Sequence, residues 1–329
     1  MADTSKAHNG RVNHERQDMN LVKLVERFGS EDRCRDYLEV LRWPDGVRCP
    51  DCGSQSISRI RARVGSGKNP DRSRNQYDCN GCRNRFSVKS GTVFHDSHLP
   101  LWKWFLATYL ITESRKGISA NQLKRTLGVP YKTAWYLCHR IRSAMVEQLE
   151  PLSGIVEADE TFVGGKQTGF RTKQEAALRR MDNKTVVLGA IERGGKLRVR
   201  VAPDTGQETI QRFLRRTVAD DAEAIYTDSH RSYRGVGNGN TRHEWVDHSA
   251  DEWVRGDVHT NTIESAWSLF DRAVIGAYHR LSEKHLSAYL QEFEFRFNNR
   301  ENPFLFRDTL LALIRGENLT YDRLVSKGE

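Results

Sequence analysis

At 329 residues the chain is longer than one typical hydrophobic core and predicts two or three domains. No segment approaches the ~20 apolar residues of a membrane span, and residues 1–16 are polar, without the apolar core of a secretory leader, so a soluble intracellular protein follows. The net charge of +9 is unevenly placed: residues 1–150 hold 26 Lys+Arg against 16 Asp+Glu, and residues 151–329 hold 26 against 27. That asymmetry fits a nucleic-acid-binding front end on a separate body, although a generic basic surface gives the same totals.

Residues 1–18 read as a disordered polar tail. Leu21, Leu24, Val25 and Phe28 recur at helical spacing, Gly29 ends that helix, and Ser30 can cap a second one through about Leu41. Trp43-Pro-Asp-Gly46 is a turn, which closes a lead-in of residues 1–45.

Two Cys-x-x-Cys knuckles follow, Cys49-Pro-Asp-Cys52-Gly53 and Cys79-Asn-Gly-Cys82, with 26 residues between them. Each knuckle lets two thiolates grip one ion, and two complete a tetrahedral four-thiolate site, which predicts a structural Zn²⁺ in a ribbon over 46–95. An iron site of the same ligand set and a redox dithiol are the other readings. Cys34 and Cys138 read as ordinary helix-face cysteines. The ribbon's strands are expected through Arg59, Arg61 and Arg63 and through Arg83, Arg85 and Val88, with Tyr77 and Phe86 packing its small core. Residues 59–89 carry nine Lys+Arg against Asp71 and Asp78, as a hairpin following DNA phosphates would.

Residues 96–150 are helical. A helix from Leu101 to about Ser114 precedes two shorter ones joined at Gly128-Val-Pro130, in the form of a helix-turn-helix. Leu123 and Leu127 face inward on the first, and Ala134, Leu137 and Ile141 on the second. Tyr131, Lys132 and Thr133 stand exposed where a recognition helix touches bases. A helical connector without DNA contact is the plainer reading.

From 151 the pattern changes to strands alternating with helices, an α/β body over 151–301. Strands are expected at 155–163, 184–192, 196–202, 223–228 and 242–246, with helices at 207–218, from about 262, and at 283–299. A C-terminal helical tail is expected over 302–329. Three acidic residues stand out here: Asp159 and Asp228 in apolar, β-branched strands, and Glu264 at a helix start. Such a cluster can hold two divalent cations with oxygen ligands. Each also has an ordinary reading: a strand-end surface charge for Asp159, a turn opener for Asp228, and a capping box with Asn261 as N-cap for Glu264.

These residues carry a resemblance. Cys-Pro-Asp-Cys-Gly at 49–53, Val-Glu-Ala-Asp-Glu-Thr-Phe-Val-Gly-Gly at 156–165, Tyr-Thr-Asp at 226–228 and His-Thr-Asn-Thr-Ile-Glu at 259–264 are similar to insertion-sequence transposases of the DDE type, in the ISXO-like branch with an N-terminal zinc ribbon. The match continues through Gly276-Ala-Tyr-His279 and Glu292-Phe-x-Phe-Arg296-x-Asn298-x-Arg300 and covers about residues 20–315. It implies a multidomain α+β chain, with ribbon and helix-turn-helix ahead of an RNase H-like α/β catalytic domain. It also implies metal-binding catalysis by Asp159, Asp228 and Glu264, with two Mg²⁺ or Mn²⁺ ions and Asn261 alongside. The family tends to place a basic residue two turns after the glutamate; here position 271 is Asp, and Arg272 is the basic candidate for DNA contact. The expected activity is strand cleavage at the ends of an element and 3′-hydroxyl strand transfer into target DNA. Double-stranded DNA is the expected partner, with a homo-oligomer assembled on it in the bacterial cytoplasm at the nucleoid. A domesticated, non-cutting DNA-binding regulator and an RNase H-like nuclease without strand transfer are the alternatives.

Overall fold

A computed structural model of the chain describes residues 19–60, 76–147, 150–164 and 184–326. Helices α1 (Leu21–Phe28) and α2 (Glu31–Arg42) open it, each with a capping side chain where the sequence supplies one. Asn20 Oδ1 accepts from Lys23 N at 2.9 Å, and Ser30 Oγ from Arg33 N at 3.3 Å. The ribbon follows as an antiparallel sheet β1-β2-β3 of Ile57–Arg59, Tyr77–Cys79 and Arg85–Phe86. Tyr77 and Phe86 stack with centroids 5.6 Å apart, and Trp43 lies edge-on to both, so these aromatics do form the ribbon core. β1 ends at Arg59, and the expected positions Arg61 and Arg63 lie outside the described residues.

Next come α3 (Leu101–Glu113), α4 (Ala120–Leu127) and α5 (Tyr131–Ser143). Pro100 gives α3 no side-chain cap; Glu31 of α2 reaches across instead, its Oε2 accepting from Leu101 N at 2.6 Å. Gly128 turns the chain between α4 and α5 at φ 59°, a left-handed conformation that a Cβ disfavours. Ala134, Leu137 and Ile141 face inward as the spacing predicts.

The core of these helices reaches further than the sequence suggested. Leu24, Phe28 and Leu38 from the lead-in join Trp104, Phe105, Leu123 and Leu137. Phe306, Leu310 and Leu313 of α9 (Leu305–Arg315), from the C-terminal segment, complete the same cluster. Phe28, Phe105 and Phe306 lie within 6.0 Å of one another, centroid to centroid. The lead-in and the C-terminal helix are thus parts of one helical unit rather than flanking tails. Further along, α10 (Tyr321–Val325) sits against α5, where Tyr136 Oη donates to Leu319 O at 2.5 Å and Lys132 Nζ stands 4.1 Å above the Tyr321 ring.

The second unit is a five-stranded sheet in the order β6-β5-β4-β7-β8: Leu197–Ala202, Thr185–Glu192, Ile155–Val163, Ala224–Asp228 and Arg242–Val246. β4, β5 and β6 are antiparallel neighbours, while β7 runs parallel to β4 and β8 parallel to β7. Alternation sends Val156 and Ala158 to one face, onto Ile210 and Leu214 of α6 (Gln207–Thr217). The other face, through Val187, Ile191 and Val199, packs on α7 (Asn261–Ala273) and α8 (Glu283–Asn298). Gly189 lets α7 come close: a Cβ there would lie 2.3 Å from Cζ2 of Trp267. The outer edge of β6 is met by side chains of α8, with Leu197 N donating to Asn298 Oδ1 at 2.7 Å and Val199 N to Glu294 Oε2 at 2.8 Å.

The two units are joined by buried charge. Arg142 of α5 donates to Glu292 of α8 at 2.5 Å, and both side chains are fully enclosed. Tyr278 Oη also donates to Glu292, at 2.6 Å, while Arg296 reaches the carbonyls of Ser114 and Arg115.

Candidate active site and metal centre

In the ribbon, Gly53 N donates to Cys49 O and Arg83 N to Cys79 O, so both knuckles close with the same turn. The turns aim four sulfur atoms inward, all within 4.8 Å of one another. Cys49 and Cys82 Sγ are 3.6 Å apart, and Cys52 and Cys79 Sγ 3.5 Å. A disulfide needs about 2.05 Å, whereas a tetrahedron with Zn–S bonds of about 2.3 Å spaces its sulfurs by roughly 3.8 Å. The Cys79 thiol is lowered to about 6, first by a hydrogen bond from the Cys82 backbone N–H, which favours the thiolate a metal binds. The four cysteines fit a structural zinc.

The carboxylates lie on the sheet. Asp228 ends β7, two residues past the last parallel pair with β4, Glu157↔Tyr226; Asp159 lies two residues past that pair on β4, close enough for the Asp228 charge to act on it. Asp159 is the middle residue of β4 rather than its end, because β4 stays paired with β5 as far as Val163. Burial, then the charges of Glu160 and Asp228, push the Asp159 carboxyl up to about 7. Its Oδ2 accepts from Trp267 Nε1 at 3.0 Å. Glu160 is also raised, by burial first, and takes a 2.6 Å hydrogen bond from the Tyr233 hydroxyl. Among the described residues no Lys or Arg is paired with Asp159, Asp228 or Glu264. Partly buried carboxylates without a Lys or Arg counter-cation have the oxygen donors that a hard divalent ion takes. Asp228 also keeps its turn role, its Oδ1 accepting from His230 N at 3.0 Å.

Glu264 stands in the first turn of α7, half-exposed. Its described partners are the Thr260 hydroxyl, which donates at 2.9 Å, and His248 Nε2 at 3.7 Å; neither aspartate is among them. Among the described residues no three carboxylates bring their oxygens within 4.8 Å. The structure therefore brings the two aspartates together and holds Glu264 on the helix beside them, turned toward its own N-terminus. Asn261 is exposed and does not cap: the N-cap is Thr260, and Asn261 is the first helical residue. The capping box drawn from sequence is replaced by a contact from the sheet. Glu157, fully enclosed, accepts from Thr262 N at 2.7 Å, Ile263 N at 3.1 Å and Thr262 Oγ1 at 2.8 Å. Glu157 shares the face of Asp159 by strand alternation, and the sequence analysis gave it no task; a second acid two residues before the first, in an apolar strand, was the signal.

The positions expected to meet DNA are scattered. Arg59 and Arg83 are exposed on the ribbon, while Arg85 is engaged by Asp78 at 2.9 Å. Tyr131 and Lys132 are exposed at the start of α5, with Thr133 half-buried, and Arg272 is exposed near the end of α7. Sequence reading missed Trp253, exposed and 4.5 Å from the His248 ring that neighbours Glu264.

Comparison with known proteins gives the family. The ISXO2-like transposase domain (IS1595 type) matches residues 151–298, and the transposase zinc-ribbon domain matches 29–85. A protein in transposable element ISH50 of Halobacterium salinarum is 32% identical over 282 residues, spanning 83% of this chain and 92% of that one. A transposase-like protein of Haemophilus influenzae is 29% identical over 101 residues, 31% of this chain and 80% of that one. The Mos1 strand transfer complex covers 64% of this chain and 74% of that chain at 14% identity, with a TM-score of 0.28, too low to argue from. On its ribbon, its carboxylate-bearing sheet and its full-length relative, the chain belongs to the ISXO2-like transposases of the IS1595 type, with an N-terminal zinc ribbon.

Proposed function

We propose that the protein cuts DNA at the ends of its element and joins the freed 3′-hydroxyl to target DNA, in an RNase H-like catalytic domain. The observation that carries this is the pair Asp159 and Asp228 on adjacent parallel strands, with Asp159 held near neutrality and no cationic side chain among the described residues to balance it. The strand order, an antiparallel three-strand meander flanked by two parallel strands, supports the RNase H-like reading. Asp159, Asp228 and Glu264 would hold two Mg²⁺ or Mn²⁺ ions, which when bound polarise the phosphodiester and stabilise both the entering and the leaving oxygen. Glu264 joins them by turning from Thr260, a side-chain rotation that its half-exposed position permits. In the first step water displaces the 3′-oxygen from the scissile phosphate; in the second that hydroxyl attacks a target phosphodiester and releases its 3′-oxygen. No bond to the protein forms in either.

The ribbon's Arg59, Arg83 and Arg85, with Arg61 and Arg63, would follow phosphates; Tyr131, Lys132 and Thr133 of α5 would read bases as the second helix of a helix-turn-helix. Arg272 would meet DNA beside the catalytic carboxylates, and two or more copies would assemble on the element ends. The test uses the full chain and a duplex carrying the DNA that flanks its coding sequence. With Mg²⁺, the wild type should nick at the element boundary and transfer the 3′ end. Asp159→Ala, Asp228→Ala and Glu264→Ala should each lower cleavage by at least about a thousandfold, the scale of losing a catalytic group, with binding kept. Binding without cleavage by the wild type would leave a DNA-binding regulator instead. Full activity in Glu264→Ala would remove that residue from the site.

A further inference from the structure

We infer that Glu157 is a positioning residue that sets the geometry of the divalent-cation site; this rests on the two-metal reading above. The third carboxylate of that site rides on a helix, the first two on strands, so its place depends on how α7 docks on the sheet. Apolar packing on β5 and β6 presses the helix down, and two polar contacts that reach back to β4 fix its position. Glu157 holds the first turn through Thr262 N, Ile263 N and Thr262 Oγ1. Trp267 holds the second turn, its indole donating to Asp159 Oδ2 at 3.0 Å over the space that Gly189 leaves. Glu264 lies between the two, so one strand carries a metal ligand together with both anchors of the helix that bears another.

Glu157 is suited to this by charge as well as shape. Helix N-termini leave backbone N–H groups without partners, and an anion there is favoured by the helix dipole. Thr260, the N-cap, spends its hydroxyl on Glu264 and accepts no backbone N–H of the first turn, so this buried carboxylate takes over the capping part. Arg193 Nε donates to Glu157 Oε1 at 2.7 Å while Arg193 Nη2 reaches His259 O at 3.1 Å, and His259 Nδ1 stands 3.3 Å from the same oxygen. Sheet, loop and helix thus converge on one carboxylate. Glutamine in its place keeps the length but turns one acceptor into a donor facing N–H and guanidinium groups, which repels the helix turn it has to hold.

The measurement is Mn²⁺ binding to the full, zinc-loaded chain by titration calorimetry, with strand cleavage of the flanking-DNA duplex as a second readout. Glu157→Gln should raise the Mn²⁺ concentration for half-saturation about tenfold or more, the range seen when outer-shell partners are removed. Its kcat should fall with KM for DNA unchanged, and extra Mn²⁺ should restore part of the rate. Thr262→Val, which removes only the hydroxyl contact, should shift the midpoint by about threefold in the same direction, and it serves if Glu157→Gln does not fold. A lowered melting temperature with an unchanged Mn²⁺ midpoint in a folded variant would make Glu157 a stability residue and overturn the inference. Asp159→Ala separates the two readings. If it binds Mn²⁺ as the wild type does, the metal site itself is wrong; if it loses Mn²⁺ while both Glu157→Gln and Thr262→Val keep it, only the positioning role fails.

Discussion

Asp159 shows how a single side chain can be held at a cost to the fold. Its carboxyl sits at about 7 in the folded protein against an ordinary 3.8, chiefly through burial. A group raised on folding leaves stability intact below its unfolded value and removes it as pH rises through the folded value. Metal-free protein should therefore lose stability between about pH 4 and pH 7 on account of this residue and gain nothing back above that. Asp159→Asn should raise the unfolding free energy by roughly 2–4 kcal/mol at pH 8, taking about 1.4 kcal/mol for each tenfold change in proton affinity as an upper scale. At pH 4 the same substitution should be close to neutral. Urea titrations at the two pH values check this, and equal effects at both would show that burial of charge is not the cause. Zinc should be kept bound throughout, since the Cys79 thiol, lowered to about 6, falls within the same pH range.

At the scale of elements, the approach of α7 to the sheet is the contact most exposed to a small change. Gly189→Ala places a methyl 2.3 Å from the Trp267 ring, so the helix must move outward or the indole must leave Asp159. Overpacking of this kind costs about 1–3 kcal/mol, and adding Trp267→Phe should recover part of it, which a double-mutant cycle in denaturant measures. The strands themselves were open to sequence reading. Ile155–Val163 and Arg242–Val246 coincide with the expected spans, because alternation and bounding turns are local signals. The anchoring of α7 was not local. Asn261 looked like the cap because it is the best capping residue nearby, yet the acceptor comes from Glu157 on a strand that precedes it by about a hundred positions. Glu264 was legible as a carboxylate in the first turn of a helix, but its turn toward Thr260 and His248 depends on neighbours that periodicity does not name. The ribbon knuckles were fully legible, since their spacing is itself the geometry.

The whole molecule depends on the buried contact between its two units. Arg142 and Glu292 are both enclosed at 2.5 Å, with Tyr278 donating to the other carboxylate oxygen and the buried Arg296 Nε 3.2 Å from it. Removing one partner of such a pair strands a buried charge and costs about 3–5 kcal/mol, whereas an apolar pair of similar volume is close to neutral. Glu292→Gln should therefore destabilise the protein by a few kcal/mol on that scale, and Arg142→Met with Glu292→Leu should regain part of the loss, since Arg296 and Tyr278 still lose their partner. Calorimetry of the two variants would decide. A melting profile for Glu292→Gln that splits into two transitions would further show that this contact couples the helical unit to the sheet. Sequence charge counts pointed to a basic front half that could act by itself. The shared core of α1, α2, α3 and α9 means that residues 46–150 alone lack much of what encloses them.

That shared core also has a bearing on synthesis. Phe306, Leu310 and Leu313 close a cluster begun by Leu24 and Phe28, so the two ends of the packing are separated by most of the chain. A ribosome that has made α5 must still produce the entire sheet before α9 emerges, which at about 5–20 residues per second takes roughly 10–30 s. During that interval the helical unit stands open on the side α9 will cover, with Phe28 and Phe105 bare to water and to chaperones. The five strands of the sheet, all available earlier, can form first. The helical half thus matures last although it is translated first, and a nascent or prematurely terminated copy carries the basic residues without the fold that presents them.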